Sequence, residues 1–346
     1  MARIVVAGAG AVGASIAYHL VRHKAADEVV LCERAEVASG ATGKAMGGVR
    51  QQFVTEPEVR LAQASARFFA ELGPPLFEQV GYLFLAVTDA GLAELRERRD
   101  AQVELGVPVQ EVNAKFVRGL RTDDVLGAVI CWEDGVADPV AVTRHLVDEA
   151  VAGGARLLEG TDAREVDRDV LVVACGADSP ELVDVPIQPL VRQLVDTEPV
   201  DDLPENLPMT IESETGFHFR GAGDGLRLAR GEPRLRWGRD EVVDESLVAD
   251  ALDRLAYRFP PAAGVGVARS WAGLYDMTPD AHPIIGWVSG DVYAACGFSG
   301  HGFMQAPAVG AAAAEELLTG RSSFDLSPYR LERFEGGAAF PETLVL

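Results

Sequence analysis

Apolar and polar positions change period several times along the chain. Ile4, Val5 and Val6 form a short continuous apolar run, as a parallel strand buried on both faces requires, and residues 11–23 resume with helical spacing. Between them Gly8, Gly10 and Gly13 give G-x-G-x-x-G, which predicts a strand-to-helix turn. Gly8 permits the tight bend, Gly10 lets a pyrophosphate come close to backbone, and Gly13 lets the helix pack on the strand. Unpaired N–H groups at that helix start face the phosphates. A second apolar run, EVVLCE, ends on Glu33, an acid placed to accept hydrogen bonds from a ribose 2′-hydroxyl and unsuited to a 2′-phosphate.

Residues 37–53, VASGATGKAMGGVRQQF, are dense in small residues and aperiodic, so they predict a loop with a short helix that can lie against a flat ligand. Helical spacing covers 57–72 and 89–104, with a strand at 81–87 between them; Asp138-Pro139 predicts an N-cap and first helical residue, opening a helix to about 152. Strands at 155–160 and 169–177 return to the first sheet. From 187 to 239 apolar and polar residues alternate, with glycine turns at Gly216 and at Gly221, Gly223 and Gly225, which predicts an antiparallel sheet and marks a second domain. A helix near 245–258, a strand at 265–275, a loop at 276–286, a strand at 292–296 and a final helix at 303–317 complete the pattern.

Composition narrows the function class. At 346 residues and 48% hydrophobic the chain can bury a sizeable core. Met1 is followed at once by the first strand, and no apolar stretch reaches bilayer length, so a cytoplasmic protein with no membrane insertion is expected. A net charge of −22 disfavours nucleic acid and anionic membranes as partners. Lysine occurs only at Lys24, Lys44 and Lys115; a salt-adapted host or an arginine-biased genome both account for this. Cys32, Cys131, Cys175 and Cys296 lie far apart in apolar runs, as core thiols do, and no metal or iron–sulfur site is expected.

Six motifs, GAGAVG, Glu33-Arg34, SGATGKAMGGVRQQF, VVACGA, WAGLYDMTPDAHPIIG and GFSGHGFMQAPAVG, occur in an order that resembles the FAD-dependent oxidoreductases of the D-amino acid oxidase superfamily. Within it the chain is similar, over nearly its whole length, to the sarcosine oxidase and dimethylglycine or L-proline dehydrogenase branch. The resemblance implies an α/β (α+β overall) fold: a discontinuous Rossmann-like FAD-binding domain from 1–80, 135–185 and 265–346, interleaved with an antiparallel-sheet substrate domain from 81–134 and 186–264. By position, Gly8, Ala9, Gly10, Ala11, Val12 and Gly13 would hold the pyrophosphate and Glu33 the ribose, with Arg34, Ser39 and Thr42 on the adenosine and phosphates. Met46, Gly47 and Gly48 would lie along the flavin, and Ala163 with Ala174, Cys175 and Gly176 would complete the adenine end. Gly300, His301, Gly302, Phe303 and Met304 would meet the pyrimidine edge, where a helix N-terminus stabilises negative charge on the reduced ring.

The activity implied is oxidation of a secondary or tertiary amine, an N-methylated or cyclic amino acid, by hydride-type transfer to FAD. Arg50, in the flavin-side loop, is the candidate for a substrate carboxylate; Arg220 and Arg227 follow, although a solvated strand face explains each as well. His301 and Tyr275 are expected near the ring, and His218 is open between site and structure. Departures from the family pattern matter. Tyr275 stands where D-amino acid and glycine oxidases carry arginine, and Met304 and Phe53 replace the lysine and arginine of monomeric sarcosine oxidases. Arg227 replaces their oxygen-activating lysine, which favours an electron-acceptor protein or hetero-oligomer partner over oxygen. Gly273 replaces the cysteine that tethers their flavin, and residues 37–53 contain no histidine, so FAD is expected to be non-covalent. Between Gly160 and Asp169 only a short link remains where the family inserts strands. Two alternatives stay open: 2-hydroxy-acid oxidation, with His301 or His218 as base, and a flavin-bearing subunit or assembly factor that acts through a protein partner.

Overall fold

The computed structural model describes residues 2–23, 28–232 and 234–335; Lys24 and residues 336–346, the end of the third expected cofactor segment, lie outside them. Strand β1 (Arg3–Ala7) is buried past its first residue and turns into α1 (Ala11–His23), as the spacing predicts. Gly8 has φ +98°, and a Cβ there would stand 2.5 Å from the Ala174 carbonyl oxygen, so glycine alone fits. At Gly13 a Cβ would come within 1.9 Å of the Gly8 carbonyl oxygen; its absence lets α1 lie directly on β1. β2 (Glu28–Glu33) follows, then a loop carrying a 3-10 turn (Ala41–Lys44) and the short β3 (Gly48–Val49).

Next come α2 (Glu56–Leu72), β4 (Phe77–Glu78), β5 (Tyr82–Ala86), α3 (Asp89–Glu104), β6 (Val109–Val112), β7 (Gly127–Cys131) and β8 (Gly135–Ala137). Helix α4 (Pro139–Ala152) starts as expected: the Asp138 carboxylate accepts the Val140 and Ala141 N–H groups, and Pro139 is the first helical residue. β9 (Arg156–Glu159), β10 (Val170–Val173), β11 (Gln188–Thr197), β12 (Met209–Glu212), β13 (His218–Ala222), β14 (Gly225–Ala229) and β15 (Arg236–Trp237) lead to α5 (Glu245–Arg258). The chain then forms β16 (Val267–Met277), β17 (Ile284–Ser289), β18 (Val292–Cys296) and α6 (Gly302–Thr319).

The strands build the expected α/β class from a Rossmann-like sheet and a larger, mainly antiparallel one. The first has six strands in the order β17-β18-β10-β1-β2-β9, parallel except for the β17·β18 pair. Residues 276–286, expected as a loop, thus contain the start of β17. Pro283 and Gly286 read as breakers, but Pro283 precedes the strand and an edge strand tolerates Gly286 at φ +145°. The second sheet has nine strands, β15-β11-β14-β13-β12-β5-β7-β6 with β16 also on β11. It is not wholly antiparallel: β5 and β12 pair in parallel, Tyr82 opposite Met209 and Leu85 opposite Glu212, joining its two sequence segments. β16, expected with the cofactor unit, pairs along its length with β11.

Helices α1 and α6 cross on the first sheet, so closely that a Cβ on Gly310 would meet Ser15 Oγ at 2.1 Å. Pro307 interrupts α6, and Ser65 of α2 repairs the break: its hydroxyl accepts the Ala308 N–H and donates to the Gln305 carbonyl, both at 3.1 Å. Among the described residues no helix is long and apolar enough to cross a membrane.

Candidate active site

A cavity of about 610 Å³ runs from the glycine turn after β1 to the start of α6, with walls from both sheets. Its first end is backbone held by side chains. Glu33, at the end of β2, accepts the Ala9 N–H at 2.9 Å and the Ala35 N–H at 3.0 Å, which fixes its carboxylate beside the turn. Thr42 Oγ1 accepts the Ala11 N–H at 3.0 Å, tying the small-residue loop to the first turn of α1. Gly8, Gly10, Ala11, Val12, Ser39, Ala163, Ala174, Cys175 and Gly176 also line this end. Ala9 and Gly13, expected as cofactor contacts, are not on the wall: Ala9 is fully buried and supplies its N–H to Glu33, and Gly13 serves helix packing. Arg34 pairs with Asp178 and Glu181, and Arg164 with Asp162, to form a charged rim. Burial pushes the Cys175 thiol up to about 12. Cys296 is fully buried in β18 and off the wall, whereas Cys32 and Cys175 both line the cavity at this end.

Met46, Gly47 and Gly48 form the middle of the wall, where glycines let backbone pack tightly. A Cβ on Gly47 would lie 2.3 Å from the Ala137 carbonyl oxygen, and one on Gly48 would lie 2.8 Å from the Tyr82 hydroxyl. Two strand arginines hold this loop from behind: Arg220 Nε donates to the Met46 carbonyl at 2.6 Å, and Arg227 Nη1 to the Ala45 carbonyl at 3.3 Å. Arg227, expected as a catalytic residue, does not reach the cavity. Its guanidinium is bidentate to Asp196 at 2.8 and 2.9 Å and lies over the Trp271 ring, and both contacts hold it off the cavity wall. Burial, and then Arg227, bring the Arg220 guanidinium down to about 10.

The far end gathers Arg50, Arg192, His218, Tyr275 and His301 on one wall with Gly273, Gly300, Gly302, Phe303 and Met304. Arg50 is 1% exposed; it donates to the Gln52 carbonyl, stacks on the Phe53 ring at 4.1 Å and brings Nη2 to 3.4 Å from His301 Nε2. Phe53 is thus the ring beneath Arg50. Gly300, at φ +96°, leaves room for Tyr275, whose ring a Cβ would meet at 2.4 Å. Burial raises the Tyr275 phenol against the pull of Arg192 and Arg50. His218 Nδ1 lies 2.8 Å from the Gly216 carbonyl, and burial, aided by Arg50 and Arg192, lowers its imidazole to about 4. Asp276 accepts the Gly297 and Phe298 N–H groups at 2.8 and 3.1 Å and so sets the loop that carries His301. Arg192 and Asp276 escape a reading of the sequence alone, because in an alternating strand nothing says which polar side chain faces a cavity.

A helix N-terminus beside a glycine turn, a carboxylate at the end of β2, a glycine-lined middle and a cationic far end fit an extended dinucleotide carrying a flat ring. A family model described as DAO, FAD dependent oxidoreductase, matches residues 3–316. The chain is 26% identical to FAD-dependent oxidoreductase domain-containing protein 1 of Bos taurus, covering 99% of this chain and 87% of that protein. It is 25% identical to sarcosine oxidase subunit beta of an Arthrobacter species, over 98% of this chain and 92% of that one. The crystal structure of L-proline dehydrogenase from P. horikoshii superposes with a TM-score of 0.89 at 29% identity, covering 97% and 98% of the two chains.

Proposed function

The chain belongs to the DAO family of FAD-dependent oxidoreductases, and on that premise we propose that it oxidises a secondary or tertiary amine, an N-methylated or cyclic amino acid. The observation that carries the proposal is the far end of the cavity, where Arg50 and Arg192 stand with a neutral His218. The names of two similar proteins, sarcosine oxidase subunit beta and L-proline dehydrogenase, support the same substrate class.

The α1 N-terminus around Gly10 and Val12 would hold the FAD pyrophosphate, Glu33 the ribose, and Gly47, Gly48, Gly300 and Met304 would flank the ring. Bound FAD supplies the acceptor for a hydride equivalent, so that the substrate's C–N bond becomes C=N. The chain's own task is to present the amine uncharged, since an ammonium has no electron pair to give. Arg50 and Arg192 do this electrostatically: cations beside the amine favour its neutral form. Arg50, at 1% exposed, is assigned to positioning His301 rather than to a carboxylate. Arg227 at the place of the oxygen-activating lysine, engaged with Asp196, supports an electron-acceptor protein or hetero-oligomer partner for reoxidation.

Anaerobic bleaching of the flavin tests the proposal. N-methylglycine, N,N-dimethylglycine or L-proline should bleach it, and lactate should not. Bleaching by 2-hydroxy acids alone would replace the reading with hydroxy-acid oxidation, and no bleaching by either class would leave a flavin-bearing subunit.

A further inference from the structure

Most cations on the cavity wall already have an anion. Arg34 and Arg239 pair with Asp178, Arg164 with Asp162, Arg230 with Asp250 and Lys44 with Glu241. Arg192 differs. Its Nε and Nη1 are buried and make no hydrogen bond among the described residues, although the side chain lines the cavity. A desolvated guanidinium with open donors is costly, so one held on a wall calls for an anion from outside.

The strand register shows where it points. Leu190 lies opposite Tyr275 and Arg192 opposite Gly273 in the β11·β16 pair. Alternate positions share a face, so Arg192 rises beside Tyr275, whose ring centre is 5.7 Å from the guanidinium carbon. Opposite Arg192, Gly273 carries no side chain, and the Lys44 stem packs against its backbone instead. A planar fork resting on a ring is well suited to a carboxylate, which two of its N–H groups can meet at once.

We infer that Arg192 determines specificity by holding the carboxylate of an amino-acid substrate against the Tyr275 side of the cavity. This rests on the amine-oxidation reading, and the experiment separates the two. With the purified holoenzyme, acetate is titrated as a non-reacting anion while the flavin absorption spectrum is followed. Bleaching is then compared for pairs that differ only in the carboxylate, L-proline with pyrrolidine and N-methylglycine with dimethylamine. Arg192→Gln should weaken acetate binding by about 10- to 100-fold, the range of charge-assisted hydrogen bonds, and abolish the preference for the carboxylate-bearing amine. FAD content should match wild type, and Arg192→Lys should recover part of the loss.

Unchanged acetate affinity and unchanged preference in Arg192→Gln, with FAD retained, would overturn the inference. If that variant fails to fold, Arg192→Lys decides: loss of the planar fork should still weaken acetate severalfold, and equal affinity overturns the assignment. Should no amine bleach the wild type, the amine reading falls, while the acetate titration still tests Arg192.

Discussion

His218 and Arg220, neighbours on one face of β13, show how burial sets the charge of a side chain. The His218 imidazole is lowered from 6.5 to about 4, so between those pH values the folded chain binds fewer protons than the unfolded one. The stability this contributes is fully present above about pH 6.5 and is lost as the pH falls toward 4. His218→Gln should flatten the decline in urea-unfolding free energy between pH 7 and pH 5, by on the order of 2 kcal/mol. A residual slope of the same sign should persist, because burial lowers His19 to about 4 as well. An unaltered slope in the variant would mean that His218 is charged in the fold. At this scale the sequence was legible for Gly8, Glu33 and His301, whose motifs fix their neighbours. It was not legible for Arg227 and Arg192, which look alike on alternating strands while one meets Asp196 and the other a cavity.

Elements whose signals are local emerged where the sequence placed them: β1 from an unbroken apolar run, α4 from Asp138 and Pro139, the β13–β14 hairpin from Gly223. Elements defined by pairing did not. Nothing local announces that β5 and β12 run parallel, or that β16 sits on β11, because those partners lie far apart in the chain. The Ser65 repair of α6 is also a non-local device. Ser65→Ala would leave the buried Ala308 N–H next to Pro307 without its hydroxyl acceptor, so unfolding free energy should fall by about 1–3 kcal/mol. The bound-flavin spectrum should be unaffected, since Ser65 does not line the cavity. Equal stability of variant and wild type in denaturant melts would show that another group satisfies the N–H.

For the whole molecule, the way FAD is retained depends on what the cavity wall lacks. Gly273 carries no nucleophile, residues 37–53 contain no histidine, and Cys131 and Cys296 are buried away from the wall. Cys32 and Cys175 line the cavity, but at the glycine-turn end, and burial raises their thiols to about 11 and about 12. Acid precipitation should therefore leave a colourless pellet with all FAD in the supernatant. Flavin fluorescence that stays with the denatured chain on a gel would contradict this and point first to Cys175. The same wall draws on residues from Ala7 near one end of the chain to Met304 near the other. A ribosome makes the glycine turn long before β10, β18 and the start of α6, so in the nascent chain the pyrophosphate end waits without the strands and the loop that complete the cavity wall until residue 304 has emerged.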